Sequence, residues 1–304
     1  MSATPETNAT LSFIHPEVVI MAKLAFLGTG LLGGAFAEAA AKRGDTVVAW
    51  NRSPEKVNAL APFGVASAAK PADAVAGASR VHLILKDDAV VDEVIAAARS
   101  GLAADAVLVD HSTTLPALTA VRAERLQAEG LAYLHCPVFM GPAAARSAQG
   151  SMLVSGPQSV FERVRADLEK MTGRVEYLGE RADLAAVYKL LGNAMFIGTW
   201  GVLADILAVA RGGGVTATDA VKMLGMLDLN AIVSGRGGNM AKGNFEPTFE
   251  LTMALKDAQL MIETAGELPL AALPSIAARM EDLIAVGYGD RDPAVLAIDA
   301  VRDE

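Results

Sequence analysis

The sequence predicts an α/β chain: a doubly wound, mostly parallel sheet, then a long connecting helix and an all-α carboxyl-terminal domain. Three observations carry this expectation. Short apolar runs alternate with helical patterns from Lys23 to about Tyr177. A glycine-rich turn joins the first run to the first helix. Beyond Asp183 the strand-like runs stop and only helical periodicity remains.

Lys23 to Leu27 is the first strand, and Gly28-Thr29-Gly30-Leu31-Leu32-Gly33 follows it with G-x-G-x-x-G spacing before a helix that opens near Ala35. Gly28 permits the tight turn, Gly30 lets the backbone approach a pyrophosphate, and Gly33 lets the helix pack on the strand. This is the signature of a Rossmann-type dinucleotide site. Thr46 to Asn51 supplies the second strand, at whose end an acid would hold the ribose 2′-hydroxyl of NAD. Asn51, Arg52 and Ser53 stand there instead. A guanidinium between two neutral polar groups suits a 2′-phosphate, so the expected cofactor is NADP(H).

Ser53 is placed as the N-cap of a short helix opened by Pro54. Gly64 to Ser67 is a weak strand, Pro71 to Val75 a short helix, and Arg80 to Leu85 a buried parallel-type strand. His82 lies within it among apolar neighbours and reads as a core histidine. Lys86-Asp87-Asp88 ends the strand, with Asp88 capping a helix to Ala98; Leu85, Lys86 and Val90 are placed along the cofactor. Ala106 to Asp110 is the next strand. His111, Ser112, Thr113 and Thr114 follow its carboxyl end, where side chains face the ligand crevice. Pro116 opens a helix to Glu129, Leu131 to Val138 is a further strand, and Phe139 to Gly150 reads as an irregular loop. Ser151 to Ser155 and Arg174 to Leu178 complete the sheet, with a helix from Val160 to Met171 between them.

Residues 184–211 read as one helix, apolar on nearly every face and about 42 Å long at 1.5 Å per residue. The uncharged run between Lys189 and Asp205 is shorter than the roughly 18 residues a membrane span needs. A helix buried between two domains or two subunits is therefore expected, in a homodimer or homotetramer. Gly212 ends it. Ala217 to Leu224, Phe249 to Thr264, Ser275 to Val286 and Pro293 to Val301 are helical in pattern, with a glycine-rich turn at Gly235 to Gly238. The expected division is a leader over residues 1–22, a nucleotide-binding domain over 23–183 and an all-α domain over 184–304.

The 304 residues are 52% hydrophobic and 20% charged, which supports a sizeable core rather than disorder. A net charge of −9 disfavours nucleic acid or an anionic membrane as partner. One cysteine, Cys136, excludes an internal disulfide or a multi-cysteine zinc site, and His15, His82, His111 and His135 show no ligand spacing, so no metal is expected. A reducing, cytoplasmic setting follows as the default. Residues 1–22 carry neither arginine nor a long apolar core, unlike a targeting peptide, and Met21 is an alternative start.

Lys189 and Asn193 lie four apart near the start of the long helix and share a face. Burial lowers a lysine pKa toward neutrality, which suits a general acid that protonates a carbonyl oxygen as hydride reaches the carbon. Asn193 would position Lys189 or the substrate oxygen. A lysine that merely snorkels at a helix end is the alternative.

Taken together, these motifs resemble the β-hydroxyacid dehydrogenases, the group of 3-hydroxyisobutyrate dehydrogenase, glyoxylate/succinic semialdehyde reductase and tartronate semialdehyde reductase, over nearly everything from Lys23 to Asp292. Asp110-His111-Ser112-Thr113 is similar to the family's D-x-S-T, which implies that Ser112 contacts substrate and Thr113 the cofactor. Lys189 to Asn193 matches K-x-x-x-N, implying Lys189 as the catalytic acid/base. Phe245, Phe249 and Lys256-Asp257 resemble a late segment whose lysine reaches the nicotinamide half of the cofactor. Gly287 to Asp292 matches G-x-G-x-x-D. Where the family has Ser-Gly-Gly to grip a substrate carboxylate, Phe139-Met140-Gly141 stands here, which implies a bulkier or less acidic substrate unless Arg146 restores a carboxylate partner. The proline usual after the fourth strand is missing at Lys86-Asp87, and Gly192 replaces a second asparagine.

The resemblance implies an NADP-dependent oxidoreductase acting on a small carbonyl or hydroxy compound, a hydroxy acid or semialdehyde. Imine reduction, by resemblance to the related imine reductases, is the neighbouring alternative; these usually place Asp or Tyr where Lys189 stands, so Lys189 argues for a carbonyl. A catalytically silent NADP-binding sensor or scaffold is the alternative of another class.

Overall fold

The computed structural model describes residues 23–301. The leader expected over residues 1–22 lies outside the described residues. The chain divides into two compact units, the first ending at Leu191 and the second beginning at Gly192.

In the first unit, β1 (Lys23–Leu27), α1 (Leu31–Lys42), β2 (Thr46–Trp50), α2 (Pro54–Asn58) and β3 (Ala66–Ser67) form one half of a parallel sheet. The other half is built by α3 (Pro71–Val75), β4 (Arg80–Leu83), α4 (Asp88–Ala98), β5 (Val107–Asp110), α5 (Pro116–Ala128) and β6 (Ala132–His135). The order is β3-β2-β1-β4-β5-β6 and every pairing is parallel, so the topology reverses between β1 and β4. A ligand crevice opens at such a reversal, outside the carboxyl ends of the strands.

Alternation within β1 shows why these strands read as unbroken apolar runs. Leu24 and Phe26 enter one core with Phe36, Val107, Val109 and Leu134, while Ala25 and Leu27 enter the other with Val81, Leu83 and Leu108. Both faces are covered. Full burial of Phe26 alone contributes roughly 2–3 kcal/mol.

Three local expectations are corrected. The strand expected from Leu131 to Val138 breaks at Pro137, which has no N–H for the ladder. A second sheet follows: β7 (Val138–Phe139), then α6 (Pro142–Arg146), β8 (Ser151–Val154), α7 (Gln158–Leu168) and β9 (Arg174–Tyr177), in the order β7-β8-β9. The segment 139–150, expected as irregular, thus begins in a strand paired antiparallel to β8 and contains a helical turn. Second, Asp87 rather than Asp88 caps α4, its Oδ1 accepting the Val90 N–H at 3.1 Å. Asp88 is drawn away by Arg122 Nη2 at 2.8 Å and by the Leu115 N–H at 2.9 Å.

The second unit holds most of α8 (Leu184–Gly212), then α9 (Ala217–Leu224), α10 (Leu229–Ala241), α11 (Leu251–Ala265), α12 (Leu273–Ala285) and α13 (Ile298–Val301). The third correction is here, because Gly235, Gly237 and Gly238 lie inside α10 and not in a turn. Asp228 caps that helix by accepting the Ala231 N–H, which offsets part of a helix penalty of about 1 kcal/mol per glycine. Leu251, Met280, Leu283, Val295 and Ile298 form the core of this unit. Asp292 ties its carboxyl end together, accepting from Thr248 Oγ1, Arg236 Nε and the Ala294 N–H. Burial pushes the Asp292 carboxyl up, but these donors outweigh it and hold the pKa at about 2.

Helix α8 is long and apolar enough to cross a membrane by length and composition alone. Leu191, Ile197 and Trp200 on it are 60%, 63% and 65% exposed.

Candidate active site

The glycine turn has the backbone a dinucleotide requires. Gly28 adopts φ +100°, and a Cβ there would stand 2.2 Å from the Ile84 carbonyl oxygen. A Cβ at Gly33 would lie 2.0 Å from the Gly28 carbonyl oxygen, so the strand and helix meet only because both positions lack side chains. At Gly30 an added Cβ would meet nothing within 4 Å, which leaves the space a pyrophosphate occupies at the start of α1.

A groove of about 400 Å³ runs past this turn. Gly28, Gly30, Leu31, Leu32 and Gly33 line its floor, Asn51, Arg52 and Ser53 one wall, and Leu85, Lys86 and Val90 the other. Thr29 does not line it: its side chain is buried, and its N–H donates to Asn51 Oδ1 at 3.0 Å. Asn51 Nδ2 in turn donates to the Ser53 carbonyl at 3.1 Å. Asn51 thus locks the turn after β1 to the turn after β2, leaving Arg52 exposed at the groove. Ser53 occupies the N-cap position of α2 without a capping bond from its side chain. Sequence reasoning missed Lys56, Trp50 and Glu93, which also line the groove. Lys56 could have been found, because Pro54 fixes the start of α2 and a third helical residue points back along the helix toward its N-terminus.

Ser112 is fixed from below. Its N–H donates to Asp110 Oδ1 at 2.9 Å, and its Oγ accepts the Leu85 N–H at 3.0 Å. Asp110 is fully buried; Tyr133 donates its hydroxyl to Oδ2 at 2.9 Å, and Arg122 Nη1 stands 4.0 Å away. Arg122 is equally buried and also binds Asp92 and Asp88 at 2.8 Å each. Burial opposes its charge, but these carboxylates more than compensate, so the guanidinium stays protonated. Thr113, the next residue, is exposed.

Behind Ser112 lies an aromatic stack: Phe26 on His82 at 4.7 Å between centroids, then His82 on His111 at 5.3 Å. His111 Nδ1 faces the Cys136 carbonyl oxygen at 2.7 Å, so it carries the proton and Nε2 accepts from His82 Nδ1 at 3.0 Å. Both rings are neutral in this arrangement. Burial drives the His82 pKa well down and that of His111 to about 4.

Lys189, near the start of α8, turns toward the end of β6. Its ammonium donates to the Val138 carbonyl at 2.8 Å and stands 4.3 Å over the Phe139 ring. Val138 and Ser112 follow neighbouring strands, β6 and β5, in which His135 pairs with Asp110. Lys189 is half-buried, and burial lowers its pKa from the usual lysine value. Met140 packs partly against the core, and Gly141 precedes α6.

Arg146 is placed elsewhere than the sequence suggested. Its Nε donates to Glu38 Oε2 at 2.7 Å on α1, and Lys42 binds the same carboxylate at 2.6 Å. These bonds, from Lys42 first and then Arg146, hold the Glu38 pKa below its usual value. The expectation that Arg146 serves a substrate carboxylate is thereby corrected: a buried acid on the adjacent helix holds it. Asn193 and Lys256 belong to the second unit. Asn193 is one turn beyond Lys189 on α8, and Lys256 is exposed, 2.8 Å from Asp257.

Comparison with known proteins agrees with this geometry. Residues 23–179 match the family model of the NAD binding domain of 6-phosphogluconate dehydrogenase. Glyoxylate/succinic semialdehyde reductase 2 of Arabidopsis thaliana is 24% identical over 303 residues, which span 98% of this chain and 82% of the relative. An imine reductase of Streptomyces aurantiacus superposes with a TM-score of 0.83 at 25% identity, over 92% of this chain and all of the other. A reductive aminase of Aspergillus terreus, solved with NADPH and ethyl levulinate, shares the fold with a TM-score of 0.82 at 23% identity, over 93% and 100%. A turn closed by two obligatory glycines, a parallel sheet that reverses beside it and a family match over the whole nucleotide-binding unit agree: the chain belongs to the family of the 6-phosphogluconate dehydrogenase NAD binding domain, within the β-hydroxyacid dehydrogenases.

Proposed function

We propose that the protein is an NADP-dependent oxidoreductase that moves hydride between the nicotinamide and a small carbonyl or hydroxy compound, in the class of hydroxy acids and semialdehydes, with Lys189 as general acid/base. The observation that carries the reading is the half-buried Lys189 ammonium, held at the Val138 carbonyl on the crevice side of the sheet. The nicotinamide supplies the hydride. Lys189 keeps two further N–H bonds after donating to Val138, and one of them protonates the carbonyl oxygen as charge develops there. Ser112 Oγ already accepts from Leu85, so its hydroxyl proton is left to orient the same oxygen. Arg52, with Lys56 beside it, is suited to the 2′-phosphate, which favours NADP over NAD. Thr113 and Lys256 are assigned to the cofactor, and Asn193 to placing the substrate oxygen, by the motifs they occupy.

The test is NADPH oxidation against aldehydes, semialdehydes and cyclic imines, with Lys189→Ala as control. The variant should lose about 10²–10⁴-fold in turnover while keeping its affinity for NADPH. NADPH binding with no turnover on any class would favour a sensor or scaffold and sink the enzyme. Imine reduction is the second reading, favoured by the likeness to the Streptomyces aurantiacus imine reductase; turnover confined to cyclic imines would select it.

We propose further that two or four copies associate through α8. The exposure of Trp200, Ile197 and Leu191 supports this, and the charges of Lys189 and Asp205 weigh against a lipid partner. Sedimentation of the wild type against Trp200→Glu tests it, a monomeric wild type being the contrary result. The buried thiol of Cys136 and the lack of any second cysteine fit a reducing, cytoplasmic setting.

A further inference from the structure

We propose that Arg122 is a positioning residue that joins the Leu85 to Val90 wall of the cofactor groove to Ser112, so that hydride donor and substrate oxygen are presented in one fixed geometry. The inference rests on the oxidoreductase reading, in which Ser112 orients the substrate oxygen, and adds what holds Ser112 against the cofactor wall.

Leu85, Lys86 and Val90 stand where β4 passes into α4, and Ser112 where β5 passes into α5. Such connections are the more mobile part of a sheet, but these two are joined. The Leu85 N–H donates to Ser112 Oγ at 3.0 Å, and the Leu115 N–H donates to Asp88 Oδ2 at 2.9 Å. Both acceptors lead to Arg122. Asp88 Oδ1 accepts its Nη2 at 2.8 Å, and Asp92, one helical turn later on α4, accepts its Nε at 2.8 Å. Ser112 donates its own N–H to Asp110 Oδ1 at 2.9 Å, and Asp110 Oδ2 lies 4.0 Å from Arg122 Nη1. A closed circuit results: from Arg122 to Asp88, along the chain to Leu85, across to Ser112, and back through Asp110.

The circuit depends on the shape of the guanidinium. The side chain is wholly buried, and its planar fork aims three nitrogens at three carboxylates on α4 and β5. A lysine there would keep the charge but gather its donors on one atom, so the acids on α4 and on β5 could not both be held. Tyr133 also donates to Asp110, at 2.9 Å, so Asp110 stays anchored when the fork is lost. What goes is the tie between α4 and β5. A reacting pair displaced by about 1 Å can react about 10²-fold more slowly, whereas the glycine turn and Arg52 still hold the nucleotide.

Arg122→Lys tests this on whichever aldehyde, semialdehyde or cyclic imine the wild type reduces fastest. Its kcat should fall at least tenfold while the NADPH dissociation constant stays within threefold, a split that general loosening of the fold would not give. In a Ser112→Ala background the same substitution should cost at most threefold, because Arg122 acts through Ser112. Amide hydrogen exchange gives a readout without turnover. The N–H groups of Ser112 and Leu115 should exchange at least tenfold faster in Arg122→Lys, and that of Thr29, held by Asn51, should not. Asp88→Asn keeps an oxygen for the Leu115 N–H and is the milder variant if Arg122→Lys does not fold; its kcat loss should be at least threefold, and again absent beside Ser112→Ala. Losses that multiply in the double variants, a kcat within threefold of wild type in the folded single variants, or unchanged exchange at Ser112 in Arg122→Lys would overturn the proposal while leaving the oxidoreductase reading intact. Absence of any Lys189-dependent turnover in the wild type would overturn both.

Discussion

Asp205, in the middle of α8, accepts the backbone N–H of Leu273 at 2.7 Å, and its two oxygens also take the N–H groups of Ala271 and Ala272. A residue 68 positions upstream thus serves as the anionic cap of α12. Burial opposes its charge, but the three donors outweigh it and lower its pKa. Asp205→Ala should destabilise the protein by about 3 kcal/mol, because three donors at a helix start lose a charged acceptor. Urea unfolding measures this; a change within about 0.5 kcal/mol would show that the helix start finds other partners.

The close contact at Gly33 makes a sharper demand. Gly33→Ala places a methyl group against the Gly28 carbonyl and should abolish NADPH binding, while Gly34→Ala, whose Cβ meets nothing closer than 3.7 Å, should be tolerated. Isothermal titration of both variants with NADPH distinguishes them. Equal loss in the two would mean that helix packing in general, rather than the turn, sets affinity.

Cofactor choice should reside at the end of β2. Arg52→Ala should weaken NADPH binding about tenfold to a hundredfold and leave NADH binding nearly unchanged, since a charge-assisted bond to a phosphate contributes about 1.5–3 kcal/mol. Comparing the two dissociation constants decides it; parallel losses for both cofactors would contradict the assignment.

The lowered pKa of Lys189 has a direction in the pH profile. The reduction rate should fall as pH rises through that pKa, because the proton donor is lost, and the midpoint should lie below the value of about 10.4 for an unperturbed lysine. A reduction rate independent of pH up to 10.4 would remove Lys189 from the proton transfer.

Acid stability follows from the histidines. His82, His111 and His135 are buried with lowered pKa values, that of His111 at about 4, and the cause in each is burial first. The unfolded chain therefore binds these protons first, at about 6.5. Their contribution to stability is intact above that pH and is lost as pH falls from about 6.5 toward 4, with a slope of up to about 4 kcal/mol per pH unit for three protons. His82→Phe should remove one proton from the slope while keeping a ring stacked on Phe26. An unaltered slope would show that His82 is already charged in the folded state.

Much of the nucleotide-binding unit was legible in the sequence because its signals are local. Gly28, Gly30 and Gly33 announce the turn within six positions, and Asn51-Arg52-Ser53 announces the adjoining wall. The substrate side was less legible because its partners are remote: Lys189 meets Val138 51 positions away, and Arg146 meets Glu38 108 positions away. The sequence reading placed Asp88 as the cap, and Arg122 on α5 draws Asp88 away, leaving Asp87 to cap α4. Pro137 marks the break between the two sheets, and the expectation of one strand from Leu131 to Val138 passed over it. Within α10, glycine content pointed to a turn, whereas the helix runs through those glycines from the Asp228 cap.

The break at Pro137 separates two tasks along the chain. The groove for the nucleotide is made by β1, β2, β4 and their helices, whereas Phe139 and Met140 ride on a small sheet fastened to the large one through the His135–Ser155 bridge. Under the proposed function, side chains on that outrigger can be exchanged without disturbing the residues that hold a common reductant. A lineage built this way retains one fuel and changes its menu.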